Sequence, residues 1–258
     1  MSAVEVAHVV TGRPDGAVVV LANSLGSTWE MWDANLAAWE EQFRVVRFDT
    51  RGHGRSPVPT GPYDIDDLTD DAVALLDRLD VERVHFVGLS LGGMVGLRLA
   101  ARNPSRVDRL VVLCTGARLD PLQGWIDRAE LVRAKGSEAV AEAVVRRWFT
   151  EARLASDDPL RVGSEAMVAS TPAEGYASCC EAIATMDLNA DLAAITAPTL
   201  AIAGADDPAT PPYQLENIAD NVAHGKLLVV PGAAHLAAAE RADVINPAVI
   251  THLLEDGE

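Results

Sequence analysis

The sequence predicts an α/β fold: a mostly parallel central sheet flanked by helices, with a helical cap inserted between two core strands. Three observations carry that reading. Short β-branched runs alternate with longer helix-like stretches, the pattern of a parallel sheet covered on both faces. Hydrophobic residues fill 49% of the 258 positions, enough to bury a large core in a single α/β domain. The alternation then lapses between positions 115 and 196, where almost every stretch reads as helix.

Strands are expected at 4–10, 18–22, 44–48, 84–87, 110–114, 200–203 and 227–230. The first is followed by Gly12-Arg13-Pro14-Asp15-Gly16, a turn signal that predicts an antiparallel hairpin start. Helices are expected at 29–41, 65–79, 91–102, 212–221 and 243–254, with four more in the lapse at 121–135, 137–149, 158–170 and 171–186. Strand character returns at Pro198-Thr199-Leu200-Ala201-Ile202-Ala203. A helical insertion at that point divides the chain into a core of 1–115 and 197–258 and a cap of 116–196. Such a cap would lie over the carboxyl edge of the sheet, where open α/β folds bind ligands.

Composition narrows the function. A net charge of −17 argues against a nucleic-acid partner, because phosphate binding needs a basic face. It also means that an anionic substrate would need a local cation to overcome the overall field. The first fifteen residues carry Glu5 and no basic segment leading into an apolar run, so no signal peptide is expected. No run of about 18 uncharged apolar residues predicts a membrane span. Cys114, Cys179 and Cys180 form no disulfide framework, and a reducing cytoplasm is the expected location.

The chemistry starts at Gly88-Leu89-Ser90-Leu91-Gly92-Gly93, a G-x-S-x-G motif with a buried strand before it and an apolar helix after it. Small residues permit a sharp turn that lifts the Ser90 hydroxyl above the sheet. The helix behind offers N–H groups to a developing oxyanion. A serine needs an adjacent base held by a carboxylate, and in this strand–turn–helix context the chain order is Ser, Asp, His. Gly204-Ala205-Asp206-Asp207-Pro208 follows a strand end, and the spacing before Thr210-Pro211 favours Asp207 over Asp206. His235, in Pro231-Gly232-Ala233-Ala234-His235 after the last strand, is the candidate base. His53 also sits at a strand end but precedes Ser90; His85 reads as core. The oxyanion donors are expected to be the N–H of Leu91 and, from the loop Asn23-Ser24-Leu25-Gly26-Ser27, that of Leu25. No His/Asp/Glu cluster has metal-ligand spacing, and neither metal nor organic cofactor is expected.

The chain resembles the 3-oxoadipate enol-lactonases of the α/β-hydrolase superfamily. The likeness rests on Asn23–Ser27, on F-D-T-R-G-H-G-R-S from Phe48 to Ser56, and on G-P-Y-D-I-D-D-L from Gly61 to Leu68. It continues through G-L-S-L-G-G-M from Gly88 to Met94 and Arg147-Trp148-Phe149-Thr150 in the cap, and returns at Asp207 and His235. The triad elements belong to the whole superfamily; N-S-L-G and R-W-F-T discriminate further. In departure from the family, Glu240-Arg241-Ala242-Asp243 lacks a proline near Ala242, and no decarboxylase domain follows. The resemblance implies hydrolysis of 3-oxoadipate enol-lactone to 3-oxoadipate, in bacterial aromatic-acid breakdown, through an acyl-enzyme on Ser90. It also implies a cation for the substrate carboxylate, supplied from Arg128, Arg133, Arg146 and Arg147, with Arg147 and Trp148 lining the pocket and Trp125 and Met94 as further walls. Another carboxylesterase or lactonase, a carbon–carbon bond hydrolase, and a ligand-binding receptor without turnover are the competing readings.

Overall fold

Seven strands form one sheet in the order β1-β3-β2-β4-β5-β6-β7. The computed structural model describes residues 1–156 and 158–255. In chain order the core elements are β1 (His8–Gly12), β2 (Val18–Ala22), α1 (Asp33–Glu40), β3 (Arg44–Phe48), α2 (Ile65–Arg78), β4 (Val84–Leu89), α3 (Leu91–Arg102) and β5 (Val107–Leu113). Among the described residues five α-helices follow before the next strand: α4 (Leu122–Lys135), α5 (Glu138–Val145), α6 (Glu151–Leu154), α7 (Pro159–Ala169) and α8 (Ala173–Thr185). The core then resumes with β6 (Thr199–Gly204), α9 (Pro212–Asn221), β7 (Gly225–Val230), α10 (Ala237–Glu240) and α11 (Ala242–Leu254).

All strand pairs are parallel except β1 with β3. β4 and β6 are buried along their whole length because helices cover both faces, which is why their sequences are apolar without alternation. α2 starts where Asp64 accepts from the Asp67 N–H at 2.8 Å and the Asp67 side chain accepts from the Asp64 N–H at 3.1 Å, a reciprocal cap. Among the described residues no helix is long and apolar enough to cross a membrane.

The first strand departs from expectation. Two N–H groups before it turn to side-chain acceptors: Val4 N–H donates to Asp71 at 2.7 Å and Ala7 N–H to Ser56 Oγ at 2.9 Å. Pairing begins only at His8, opposite Phe48, so the antiparallel partner is β3 rather than β2, and there is no hairpin with β2. The stretch expected as one helix at 29–41 divides into a 3₁₀ turn, Trp29–Trp32, and α1. α5 stops at Val145, short of the expected 149. Trp148 and Arg147 close turns onto Val145 and Val144, and the Trp148 carbonyl accepts from Leu236 N–H at 2.8 Å. A longer helix would withdraw that carbonyl from the core.

Candidate active site

Ser90 occupies the turn between β4 and α3 with φ 55° and ψ −115°, a conformation that L residues rarely adopt. The surrounding glycines make it possible. A Cβ on Gly88 would meet the Gly92 carbonyl oxygen at 2.2 Å, and one on Gly92 would meet the Ala22 carbonyl oxygen at 2.1 Å. The turn is pinned from outside as well. Ser90 N–H donates to the Leu113 carbonyl at 2.9 Å, and Thr115 Oγ1 donates to the Ser90 carbonyl at 2.8 Å.

His235 and Asp207 meet from loops 28 residues apart. His235 Nδ1 lies 2.8 Å from Asp207 Oδ2, and both side chains are buried. The same carboxylate accepts from Thr210 Oγ1 at 2.6 Å and from the N–H groups of Ala209 and Thr210 at 2.8 and 3.1 Å. Burial works to raise the Asp207 pKa; the His235 charge and the bonds from His235 and Thr210 outweigh it and hold the carboxyl below its usual value. An ionised carboxylate on Nδ1 leaves Nε2 as the free face of the imidazole. Asp206, by contrast, is exposed.

The loop after β2 is held by three neighbours. Asn23 Nδ2 donates to the Phe48 carbonyl at 2.8 Å, Trp32 Nε1 donates to Asn23 Oδ1 at 2.9 Å, and Gly92 N–H donates to the Asn23 carbonyl at 2.9 Å. Asn23 thus joins the ends of β2 and β3 to the start of α3. Gly26 N–H donates to His53 Nε2 at 2.9 Å, while His53 Nδ1 lies 3.2 Å from the Arg51 carbonyl. Burial pushes the His53 pKa down to about 4, so the ring is neutral and Nε2 stays an acceptor. His53 therefore positions this loop. Among the described residues no protein acceptor takes the Leu25 N–H. Leu91 opens α3, where an N–H has no partner within the helix.

Ser90, Leu25 and His235 face one cavity of about 60 Å³ beneath the α4–α8 insertion. At roughly 10–15 Å³ per water on this measure, it holds about four to six waters. A wider recess of about 350 Å³ shares Trp125, Arg128, Arg147 and Ala209 with it and leads outward.

The sequence model of the alpha/beta hydrolase fold matches residues 17–242. The chain belongs to that family. It is 37% identical to 3-oxoadipate enol-lactonase 2 of Acinetobacter baylyi, over 92% of this chain and 89% of that protein. The crystal structure of the enol-lactonase from Burkholderia xenovorans LB400 superposes with a TM-score of 0.94 at 38% identity, covering 97% of this chain and 96% of the other. A thermophilic esterase from Thermogutta terrifontis, solved with malate bound, gives 0.91 at 29% identity, over 97% and 93% of the two chains. The protein is a carboxylic-ester or lactone hydrolase of the enol-lactonase and esterase branch of the α/β-hydrolases.

Within that hydrolase the cap residues separate into two groups. Arg147, Trp148 and Trp125 line the cavity, and Arg128 joins them. Arg133 is turned away and bound to Glu174 and Glu181, and Arg146 is exposed beside a different surface recess. Met94 does not line the cavity. It is fully buried one turn into α3, where every residue from 91 to 97 is enclosed, so helical phase carries it into the core. Sequence reasoning missed Thr210, whose signal is an Asp-x-x-Thr spacing typical of a side-chain-capped turn. It also missed Tyr176, which gives no local signal inside an apolar helix.

Proposed function

We propose that this hydrolase opens 3-oxoadipate enol-lactone to 3-oxoadipate, with Ser90 as nucleophile, His235 as base and Asp207 as its orienting carboxylate. The observation that carries the substrate class is the charge inside the cavity. Arg128 and Arg147 line it beside Ser90 and His235, and among the described residues neither has a carboxylate within ion-pair distance. Burial, and then the charge of Arg128, push the Arg147 pKa down, which marks a site short of negative charge. A small ester carrying its own carboxylate supplies it. The enol-lactonase relative acts on such a molecule by name, and the malate in the esterase relative is a dicarboxylate.

The steps follow from the geometry. Ser90 Oγ attacks the lactone carbonyl as His235 Nε2 takes its proton, with the Asp207 carboxylate stabilising the imidazolium. The N–H groups of Leu25 and Leu91 receive the oxyanion. Collapse expels the ring oxygen as an enolate, a better leaving group than an alkoxide, which takes a proton and passes to the ketone. Water deprotonated by His235 then releases the acyl chain from Ser90. The region 116–196 serves as the cap over a core of 1–115 and 197–258. We place the enzyme in the cytoplasm, in keeping with three free, buried cysteines.

The test is loss of enol-lactone absorbance on adding purified enzyme. Wild type should consume the lactone and Ser90→Ala should not. Arg147→Met should raise KM for the lactone at least tenfold more than for a neutral nitrophenyl ester. No turnover of the lactone alongside brisk turnover of neutral esters would refute the substrate.

A further inference from the structure

We infer that Tyr176 and Arg128 act with Arg147 as a three-donor clamp for one carboxylate, and that Tyr176 is a specificity-determining residue of this enzyme. The inference rests on the carboxylated-lactone reading and deepens it. Tyr176 is fully buried on α8 and faces the catalytic cavity, and among the described residues its hydroxyl proton finds no acceptor. A buried hydroxyl left unpaired is costly, and such groups in native proteins nearly always find an acceptor. Among the described residues no acceptor reaches this one, so its proton faces the cavity, free for an acceptor that a ligand brings.

The ring cannot swing away to find another. A Cβ placed on Gly26 would lie 2.8 Å from the Tyr176 ring, so the side chain is wedged against the loop that carries Leu25. Burial raises the phenol pKa, so the hydroxyl keeps its proton and serves as a donor. Arg128 is held in a comparable way: its guanidinium sits 4.5 Å from the Trp125 ring centroid.

Three cap arginines outside the cavity carry counter-ions. Arg133 pairs with Glu174 and Glu181, Arg153 with Asp158, and Arg161 with Glu165. Among the described residues the two arginines of the cavity have no such partner; exposed Arg146 has none either, but water solvates it. A carboxylate offers about four acceptor positions, enough for two guanidinium groups and a phenol. The ligand class is therefore a small acyl compound with a free carboxylate a few bonds from the scissile carbonyl. Two cations against one carboxylate also leave positive field for the oxyanion that forms on Ser90.

The experiment is calorimetric binding of glutarate, which the enzyme cannot hydrolyse, to wild type and to Tyr176→Phe, Arg128→Met and Arg147→Met. Lactone turnover is followed in the same preparations and folding is checked by thermal melting. Glutarate should bind wild type, bind Tyr176→Phe roughly tenfold more weakly, and bind each arginine variant at least tenfold more weakly. Tyr176→Phe should also raise KM for the lactone while its kcat/KM for nitrophenyl acetate stays within about twofold, a split that a merely structural tyrosine would not produce. Glutarate affinity indifferent to all three changes, in an enzyme that still opens the lactone, overturns the clamp and spares the function. Clamp-dependent glutarate binding without lactone turnover overturns the function and spares the clamp.

Discussion

Asp206 and Asp207 are neighbours in sequence and opposites in environment. Asp207 is buried and accepts from His235, from the Thr210 hydroxyl and from two backbone N–H groups, whereas Asp206 is exposed. A carboxylate so held keeps its charge and fixes the imidazole with Nδ1 inward. Asp207→Asn should therefore lower kcat by about 10⁴-fold, the loss found when a triad carboxylate is neutralised, and Asp206→Asn should stay within about twofold. Steady-state kinetics on a nitrophenyl ester read both; equal losses would reassign the acid. Residues of this kind are legible in sequence because Ser90, Asp207 and His235 lie one, three and five residues past the ends of β4, β6 and β7, in chain order. Tyr176 and Glu240 are not, since one matters through the cavity it faces and the other through partners far along the chain. Met94 shows the reverse problem: nearness in sequence to the nucleophile says nothing of the helical phase that turns it inward.

At the scale of elements, α10 joins the cap to the loop that carries His235. Glu240 Oε1 accepts from the N–H and the hydroxyl of Thr150, both at 2.9 Å, and Oε2 accepts from Ala234 N–H at 2.7 Å. Leu236 N–H to the Trp148 carbonyl adds a second tie, so the residues on both sides of His235 are fastened to the cap segment that follows Arg147. Glu240→Ala leaves three donors without their acceptor and should cost about 3 kcal/mol of unfolding free energy. It should also lower kcat roughly tenfold by loosening the base. Thr150→Val should cost less, and the double variant should fall short of the sum, because the two side chains share one bond. Urea unfolding of the four proteins measures this, and strict additivity would rule out the tie. α10 itself could not be read from the sequence. Four residues of Ala-Ala-Ala-Glu carry no period, and what holds them is a buried carboxylate with distant partners. The long buried strands and α2 were readable because their apolar pattern and reciprocal cap are local. β1 starts late because Asp71 and Ser56, remote in sequence, take the backbone donors of Val4 and Ala7.

For the whole molecule, acid should be the weak side. Burial lowers the pKa of His53, His85 and His252, in His53 to about 4, so each folds neutral and each takes up a proton more readily once unfolded. The unfolded chain then binds more protons across this window, and stability falls as pH falls. For His53 the contribution is intact above an unfolded value of about 6.5 and is lost progressively down to about 4, roughly 3 kcal/mol in all. Asp207 adds a loss of the same sign at lower pH, since its depressed carboxyl must be protonated there. One opposing effect is the net charge of −17, whose self-repulsion eases as surface carboxylates are protonated. Salt separates the two, because ions screen exposed charges beyond about 8 Å at 0.15 M and leave a buried imidazole almost untouched. Urea midpoints at pH 7.5 and 5.0 in 0.3 M salt should drop clearly for wild type. His53→Gln starts lower, having lost a matched acceptor for Gly26, but should drop less between the two pH values because one of the three latent protonation sites is gone. An identical drop in both proteins would move the acid sensitivity away from the ring that braces the Leu25 loop.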